Sequence, residues 1–199
     1  TQVHDAIERY LLGEKITLLD DKGFSQYSMH VWQMILRFHE FWVTYKPTLV
    51  ESEAHLFSDK YTYAGTCDLV IEIDGKRWLL DIKTSNSLHT SYDLQLAAYA
   101  QAWNETHNEP VEETGIIWLK ASTRGPGKDG RQGNGWQLKQ VGDIDHYFNM
   151  FKNVYSIYKM ENPESKPVTE TLPTVVKISD EPTQILESTA KPRGRKKKE

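Results

Sequence analysis

Several features of secreted and membrane proteins are missing from this chain. Its 199 residues contain one cysteine, Cys67, so no disulfide can form within the chain. No apolar run approaches the roughly 20 residues that span a bilayer, and the first residues lack the pattern of a secretory signal. The formal net charge of −4 provides no general attraction to nucleic acid. Any binding to nucleic acid would therefore depend on local basic patches.

Composition divides the chain into two regions. The length is enough to bury one sizeable core, and aromatic residues make up 11% of the sequence, which predicts one globular domain. After Glu161 the aromatic residues disappear and Pro, Thr, Ser, Glu and Lys dominate, a composition typical of disorder. We therefore predict a folded domain at 1–160 and a disordered tail with a basic end at 161–199.

The strongest local signal is that of a β-hairpin. Runs rich in Val, Ile, Leu and Trp flank Asp74-Gly75, and this dipeptide favours a two-residue hairpin turn. Such a turn places Asp68 opposite Asp81, at equal distances from the turn. Strand alternation then puts both carboxylates on one face with Lys83. That face also carries Leu79, and the opposite, core face carries Leu69, Ile71, Ile73, Trp78, Leu80 and Ile82.

The two facing carboxylates indicate a cation site. Directly opposed like charges destabilise a strand pair, and a divalent cation between Asp68 and Asp81 would remove that penalty. Carboxylate oxygens suit Mg²⁺ or Mn²⁺. Lys83 points the same way and would orient a water or neutralise charge on a phosphate. The alternative interpretation is a solvated sheet face that carries charges by chance.

A helix is predicted to follow the hairpin. It begins near Thr90, where Thr90 and Asp93 have the spacing of a capping box. Gln95 and Tyr99 are four residues apart and therefore share a face of this helix. Its apolar stripe comprises Leu96, Ala100 and Trp103.

Together these motifs resemble the PD-(D/E)XK nuclease superfamily, in particular the branch of RecB-like and mitochondrial genome maintenance exonuclease-like enzymes. Asp68 matches the first acidic ligand, residues 81–83 match the (D/E)-x-K element, and residues 95–99 match the Q-x-x-x-Y motif. Cys67 stands where the family name has a proline. The resemblance covers roughly residues 1–105 and implies an α/β, restriction-endonuclease-like fold with a mixed central sheet flanked by helices.

The resemblance also implies roles for individual residues. Asp68, Asp81 and the Ile82 carbonyl would hold one or two Mg²⁺ or Mn²⁺ ions for DNA hydrolysis. Lys83 would position the attacking water or stabilise the transition state. A single cysteine, Cys67, is too few for the four-cysteine iron–sulfur cluster of some relatives.

Further site residues are implied outside the hairpin. Gln95 and Tyr99 would orient the DNA strand or the metal ligands. Val3-His4-x-x-x-Glu8 resembles a helix whose histidine is a metal ligand in RecB-like nucleases, although a lone histidine on a short helix can equally be structural.

Branch members also carry a glutamate on the strand before the hairpin. Glu51 fits that position first and Glu53 second.

Two basic segments lie outside these motifs. Arg124, Lys128 and Arg131 occupy a glycine-rich stretch, which is either a long hairpin loop or an arm that reaches a phosphate backbone. Arg193-Gly194-Arg195 is similar to the core of an AT-hook, a minor-groove reader. A polybasic end that attracts phosphate without sequence preference is the simpler interpretation.

Hydrophobic spacing predicts the remaining elements. We expect helices near 3–12, 24–45 and 144–160, and strands near 49–57, 115–121 and 136–141. The resemblance also leads us to expect further residues upstream of this chain.

The function implied is that of a metal-dependent exonuclease acting on DNA ends in recombination, repair or replication, from a phage or bacterium. A structure-selective junction endonuclease on the same fold and a non-catalytic DNA-binding module are the alternatives. A single-strand-annealing or replication protein would be a partner, no membrane association is expected, and the location would be the cytoplasm, or the mitochondrial matrix in a eukaryote.

Overall fold

The computed structural model describes residues 1–120 and 135–163, and it confirms the predicted α/β fold. Five strands form one mixed sheet in the order β1-β2-β3-β4-β5, and four helices flank it. The elements are α1 (Gln2–Leu11), α2 (Met29–Tyr45), β1 (Thr48–Ser58), β2 (Tyr63–Ile73), β3 (Lys76–Lys83), α3 (Ser91–Thr106), β4 (Glu113–Trp118), β5 (Gln137–Val141) and α4 (Ile144–Glu161).

The predicted basic residues Arg124, Lys128 and Arg131 of the loop, and Arg193 and Arg195 of the tail, lie outside the described residues. The prediction of a disordered tail falls on the same undescribed part of the chain. None of the helices that the structure describes combines the length and the apolar character needed to cross a membrane.

The predicted hairpin forms with the predicted register. Asp74 and Gly75 both have positive φ, 51° and 78°, as the central residues of a type I′ turn require. Pairing runs from Ile73 opposite Lys76 to Leu69 opposite Leu80. The strand β3 then pairs in parallel with β4, and α3 makes the crossover that such a pair requires.

Both faces of the sheet are covered. On one face, α1 and α2 pack over the residues predicted as the core side of the hairpin, and we call this cluster the α1/α2 core. On the other face, α3 packs over Val70, Leu79 and Ile116, which we call the α3 core. The α1/α2 core includes Val3, Ile7, Met34, Phe38, Phe41, Leu69, Ile71, Ile73, Leu80, Ile82, Ile117 and Leu119.

One predicted helix start and one predicted helix cap were wrong, whereas the third helix begins after Thr90 as predicted. The second helix begins at Met29 and not near residue 24, because Ser28 caps it by accepting the Val31 N–H at 3.2 Å. The third helix does not use a capping box, since the Thr90 side chain makes no cap hydrogen bond. Asp93, its expected partner, instead forms a buried ion pair with Lys139 of β5 at 3.0 Å.

Replacing Leu80 by Ala should lower the free energy of unfolding by about 2–5 kcal/mol, because Leu80 is fully buried in the α1/α2 core. Leu36→Ala is the matched control, since Leu36 on α2 is 44% exposed and its loss should cost no more than about 0.5 kcal/mol. Urea unfolding of both variants measures the difference. Equal costs would contradict the packing described.

Candidate active site

The C-terminal end of strand β3 carries two opposite charges that lie close together. Lys83 Nζ lies 2.7 Å from Asp81 Oδ2, and the Asp81 side chain is only 8% exposed. The contact is an ion pair without hydrogen-bond geometry, so Oδ2 is buried with no hydrogen-bond partner among the described residues. The ammonium balances the charge of Asp81, but Oδ2 accepts no hydrogen bond of good geometry and is therefore available to a metal cation.

Asp68 and His4 meet at the main chain of Ile82. The Ile82 N–H donates to Asp68 Oδ2 at 2.6 Å, and the Ile82 carbonyl lies 3.0 Å from His4 Nε2. Asp68 Oδ2 and His4 Nε2 are 3.6 Å apart. Helix α1 therefore delivers a histidine to the strand that carries Asp81, as the V-H-x-x-x-E resemblance implied.

Asp68 and Asp81 were predicted to lie on one face of the hairpin, but the alternation of β2 is interrupted next to Asp68. Cys67 packs in the α3 core together with Val70, although strict alternation would place it with Leu69 in the α1/α2 core. The alternation is thus interrupted next to Asp68, whose carboxylate turns towards α1. Asp68 and Asp81 have different partners but remain close enough for the charge of one to act on the other.

A glutamate of β1 completes the acidic cleft. Glu53 lines a narrow cleft with His4, Glu8 and Asp68. Its φ of 51° is left-handed, a conformation that costs a residue with a side chain about 1 kcal/mol or more and is concentrated at functional sites. Glu51, the first choice from sequence, pairs with Val70 and is exposed, so the structure places Glu53, the second choice, at this cleft.

Gln95 and Tyr99 meet on one face of α3. Gln95 Nε2 donates to the Tyr99 hydroxyl at 2.8 Å. The Tyr99 ring lies against Gly65 of β2 so closely that a Cβ at Gly65 would overlap it. Gly65 is therefore needed for this contact, a role that the sequence alone did not indicate.

The electrostatics of the cleft favour a bound cation. Burial, with help from the charge of Asp68, raises the pKa of Asp81 to about 6, against the opposing effect of Lys83. Burial also raises the pKa of Glu53, and the charges of Asp68 and Glu8 add to the effect. The nearby Asp68 carboxylate raises the pKa of His4, while burial acts in the opposite direction. The carboxylates of Asp68, Asp81 and Glu53 therefore lie close enough to repel one another, and a bound cation would reduce this repulsion.

The residues present fit a divalent cation. Asp68, His4 and the Ile82 main chain are in contact, and Asp81 lies near enough for the charge of Asp68 to act on it; two carboxylates, a carbonyl and an imidazole form a donor set that suits Mg²⁺ or Mn²⁺. The buried Asp81 Oδ2, which accepts no hydrogen bond of good geometry, is the observation that supports the fit. No three His, Cys, Asp or Glu side chains within the described ranges form a preassembled metal group, since His4 contacts a carbonyl and Asp81 contacts Lys83.

Comparison with known proteins identifies the superfamily to which the chain belongs. The family model of the PD-(D/E)XK nuclease superfamily matches residues 1–176, and the chain belongs to that superfamily. Its members generally use divalent metal ions. A search of curated proteins gives no match.

Two solved structures show distant similarity. One is a crystal structure of a protein from Eubacterium rectale, provisionally described as an exonuclease, with 15% identity and a TM-score of 0.48; the match covers 89% of this chain and 75% of that one. The other is SSO0001, with 13% identity and a TM-score of 0.35, covering 78% of this chain and 84% of that one. The family assignment depends on the sequence match alone.

Replacing Asp81 by Asn should stabilise the metal-free protein at neutral pH by about 3 kcal/mol. Asp81 holds its proton more tightly when folded, with a pKa of about 6, than when unfolded, at about 3.9. Its contribution to stability therefore falls as the pH rises from about 4 to about 6. Because Asn is neutral at every pH, the stabilisation of Asp81→Asn relative to the wild type should be complete above pH 6 and absent below pH 4. Urea unfolding in EDTA across this range measures it.

Asp74→Asn provides the control for this comparison, because Asp74 is exposed in the hairpin turn and Asn tolerates its positive φ. It measures the effect of the same substitution at an exposed aspartate, with which the Asp81→Asn difference is compared at each pH. A constant difference for Asp81→Asn would show that burial of the Asp81 charge does not destabilise the fold.

Proposed function

We propose that this protein is a metal-dependent deoxyribonuclease, and specifically an exonuclease that acts on DNA ends. The observation that supports it most is the buried Asp81 carboxylate paired with Lys83, with Asp68 and His4 close by. Membership of a nuclease superfamily supports the reaction class. DNA as the substrate, Mg²⁺ as the ion and a role in recombination, repair or replication are parts of the proposal.

Contacts among the candidate residues support the following assignment of cation ligands. Asp68, Asp81 and the Ile82 carbonyl would hold the cation, with His4 Nε2 as a further ligand and Glu53 at the edge of the cleft. A bound divalent cation lowers the pKa of its water and neutralises charge on the phosphate oxygens. To act as a ligand, His4 would carry its proton on Nδ1, which faces the Thr1 hydroxyl.

The remaining site residues would orient the DNA strand and stabilise the transition state. Lys83 carries the cationic group nearest to Asp81 and would hold the attacking water or balance charge on the phosphate in the transition state. Gln95 and Tyr99, linked by their hydrogen bond, would orient the DNA strand. We assign this catalytic domain to residues 1–160 and the basic tail at 161–199 to attraction of the DNA backbone.

End-labelled linear DNA and closed circular DNA, incubated with Mg²⁺ or with EDTA, test this function. An exonuclease should degrade the linear DNA in Mg²⁺, leave the circle intact, and be inactive in EDTA. Cleavage of the circle or of branched junctions would favour the endonuclease alternative. Binding of DNA without any cleavage in Mg²⁺ or Mn²⁺ would overturn the proposal in favour of a non-catalytic DNA-binding module.

Asp81→Ala and Lys83→Ala should each abolish cleavage, by at least about a hundredfold, while the fold stays intact. Asp74→Asn and Lys76→Ala are matched controls, because both residues lie on the same hairpin away from the cleft. Both controls should cleave at the wild-type rate. Circular dichroism and unfolding curves check the fold. Wild-type rates in Asp81→Ala would refute the site assignment.

His4→Ala should weaken activity most at low Mg²⁺ and recover in part at high Mg²⁺ or in Mn²⁺, because one of several ligands is lost. His30→Ala, an exposed histidine on α2, is the control and should leave the Mg²⁺ dependence unchanged. Titrating the cleavage rate against Mg²⁺ measures the effect. A lower melting temperature with an unchanged Mg²⁺ dependence would instead make His4 a structural residue.

A further inference from the structure

The Lys83 ammonium group has an aromatic neighbour in addition to Asp81. Lys83 Nζ lies 4.4 Å from the centroid of the Tyr92 ring, within the range of a cation–π interaction. Asp81 Oδ2 is 2.7 Å from the same nitrogen, and the Lys83 side chain is 20% exposed. The amine is therefore held between a carboxylate and the face of a ring.

The position of the Tyr92 ring is set by the fold. Tyr92 lies in the first turn of α3, three residues before Gln95 and seven before Tyr99, so the three side chains occupy one face of the helix. The ring packs against the α3 core, and the His89 ring meets it edge to face at 5.6 Å. A ring fixed on two sides can hold a flexible side chain, whereas a free ring would move with it.

The contact matters because Asp81 serves two purposes. Asp81 now balances the charge of Lys83, but the same carboxylate is one of the proposed cation ligands. When its charge is shared with a cation, Asp81 holds the ammonium less strongly, and the two positive charges repel each other. Lysine has a flexible stem and a strongly hydrated head, so it would then turn out to solvent. The Tyr92 ring is neutral and its attraction to the ammonium does not depend on Asp81.

We propose that Tyr92 is a positioning residue, whose ring holds the Lys83 ammonium at the active site when Asp81 no longer does. The inference rests on the proposed function to the extent that Lys83 has a role in the reaction. The competing explanation is that Tyr92 is only a rim residue of the α3 core, and that its closeness to Lys83 has no consequence.

The first test needs neither metal nor DNA. All proteins compared carry Asp81→Asn, so that the carboxylate charge no longer holds the ammonium. In EDTA at one fixed pH, each protein is treated with an acetylating reagent, and the acetylation rates of Lys83 and Lys76 are followed by mass spectrometry. Tyr92→Leu keeps apolar packing but removes the ring, and Lys83 should react about fivefold faster than in the protein with Asp81→Asn alone. Tyr92→Phe keeps the ring and should match the protein with Asp81→Asn alone. Lys76, at the other end of β3, should be unchanged in every variant.

A matched control separates positioning from packing. Tyr147 also packs at the rim of the α3 core, so Tyr147→Leu should lower thermal stability about as much as Tyr92→Leu without changing the labelling of Lys83. Faster labelling in Tyr147→Leu, or an unchanged Lys83 in Tyr92→Leu, would overturn the proposal and leave Tyr92 as a rim residue.

The second test uses cleavage of linear DNA in Mg²⁺. Tyr92→Leu should lower kcat about tenfold with little change in KM, and Tyr92→Phe should restore it, because the ring and not the hydroxyl holds the amine. A changed KM with constant kcat, or no recovery with Phe, would contradict positioning of Lys83. If the wild type does not cleave DNA, the proposed function fails, and the labelling result still decides whether Tyr92 holds Lys83.

Discussion

The register of one hairpin determines which side chains reach the active site. The Asp74-Gly75 turn fixes the pairing register of β2 and β3, and this register determines the sheet face on which each side chain of β3 lies. A slip by one residue would move Asp81 and Lys83 into the α1/α2 core and expose Leu80 to α3. Because Leu80 and its neighbours are fully buried, the apolar packing on both faces holds the register. The geometry of the candidate active site is therefore maintained by core residues outside it.

The features that could be predicted from the sequence are those set by short-range patterns of neighbouring residues. The Asp-Gly turn, the alternation in β3 and the four-residue spacing of Gln95 and Tyr99 each depend on a few neighbouring residues, and each element lies where it was predicted. The α1 histidine could be placed only through resemblance, because nothing in local spacing shows that His4 reaches Ile82.

The features that sequence could not predict depend on backbone irregularity. Pairing between β1 and β2 shifts between Leu49 and Glu51, and Glu53 adopts a left-handed conformation. No alternation rule anticipates such a shift, so the family resemblance ranked Glu51 before Glu53 with the register of β1 left open. Tyr92 was missed for a different reason, although its spacing to Gln95 places it on the same helix face. Its role appears only when the contact with Lys83 is seen.

The topology of the sheet also has a consequence for the order of folding. Strands β2 and β3 are neighbours in sequence, but Asp81 pairs with Ile116 of β4, roughly 35 residues further along the chain. Closing that long loop is slower than forming the hairpin. With this order of folding, Asp81 would remain hydrated in the early hairpin and would lose its water only when β4 and α3 dock. Its charge should oppose this late step, so a cation that binds Asp81 at that stage would act on the rate of folding as well as on catalysis.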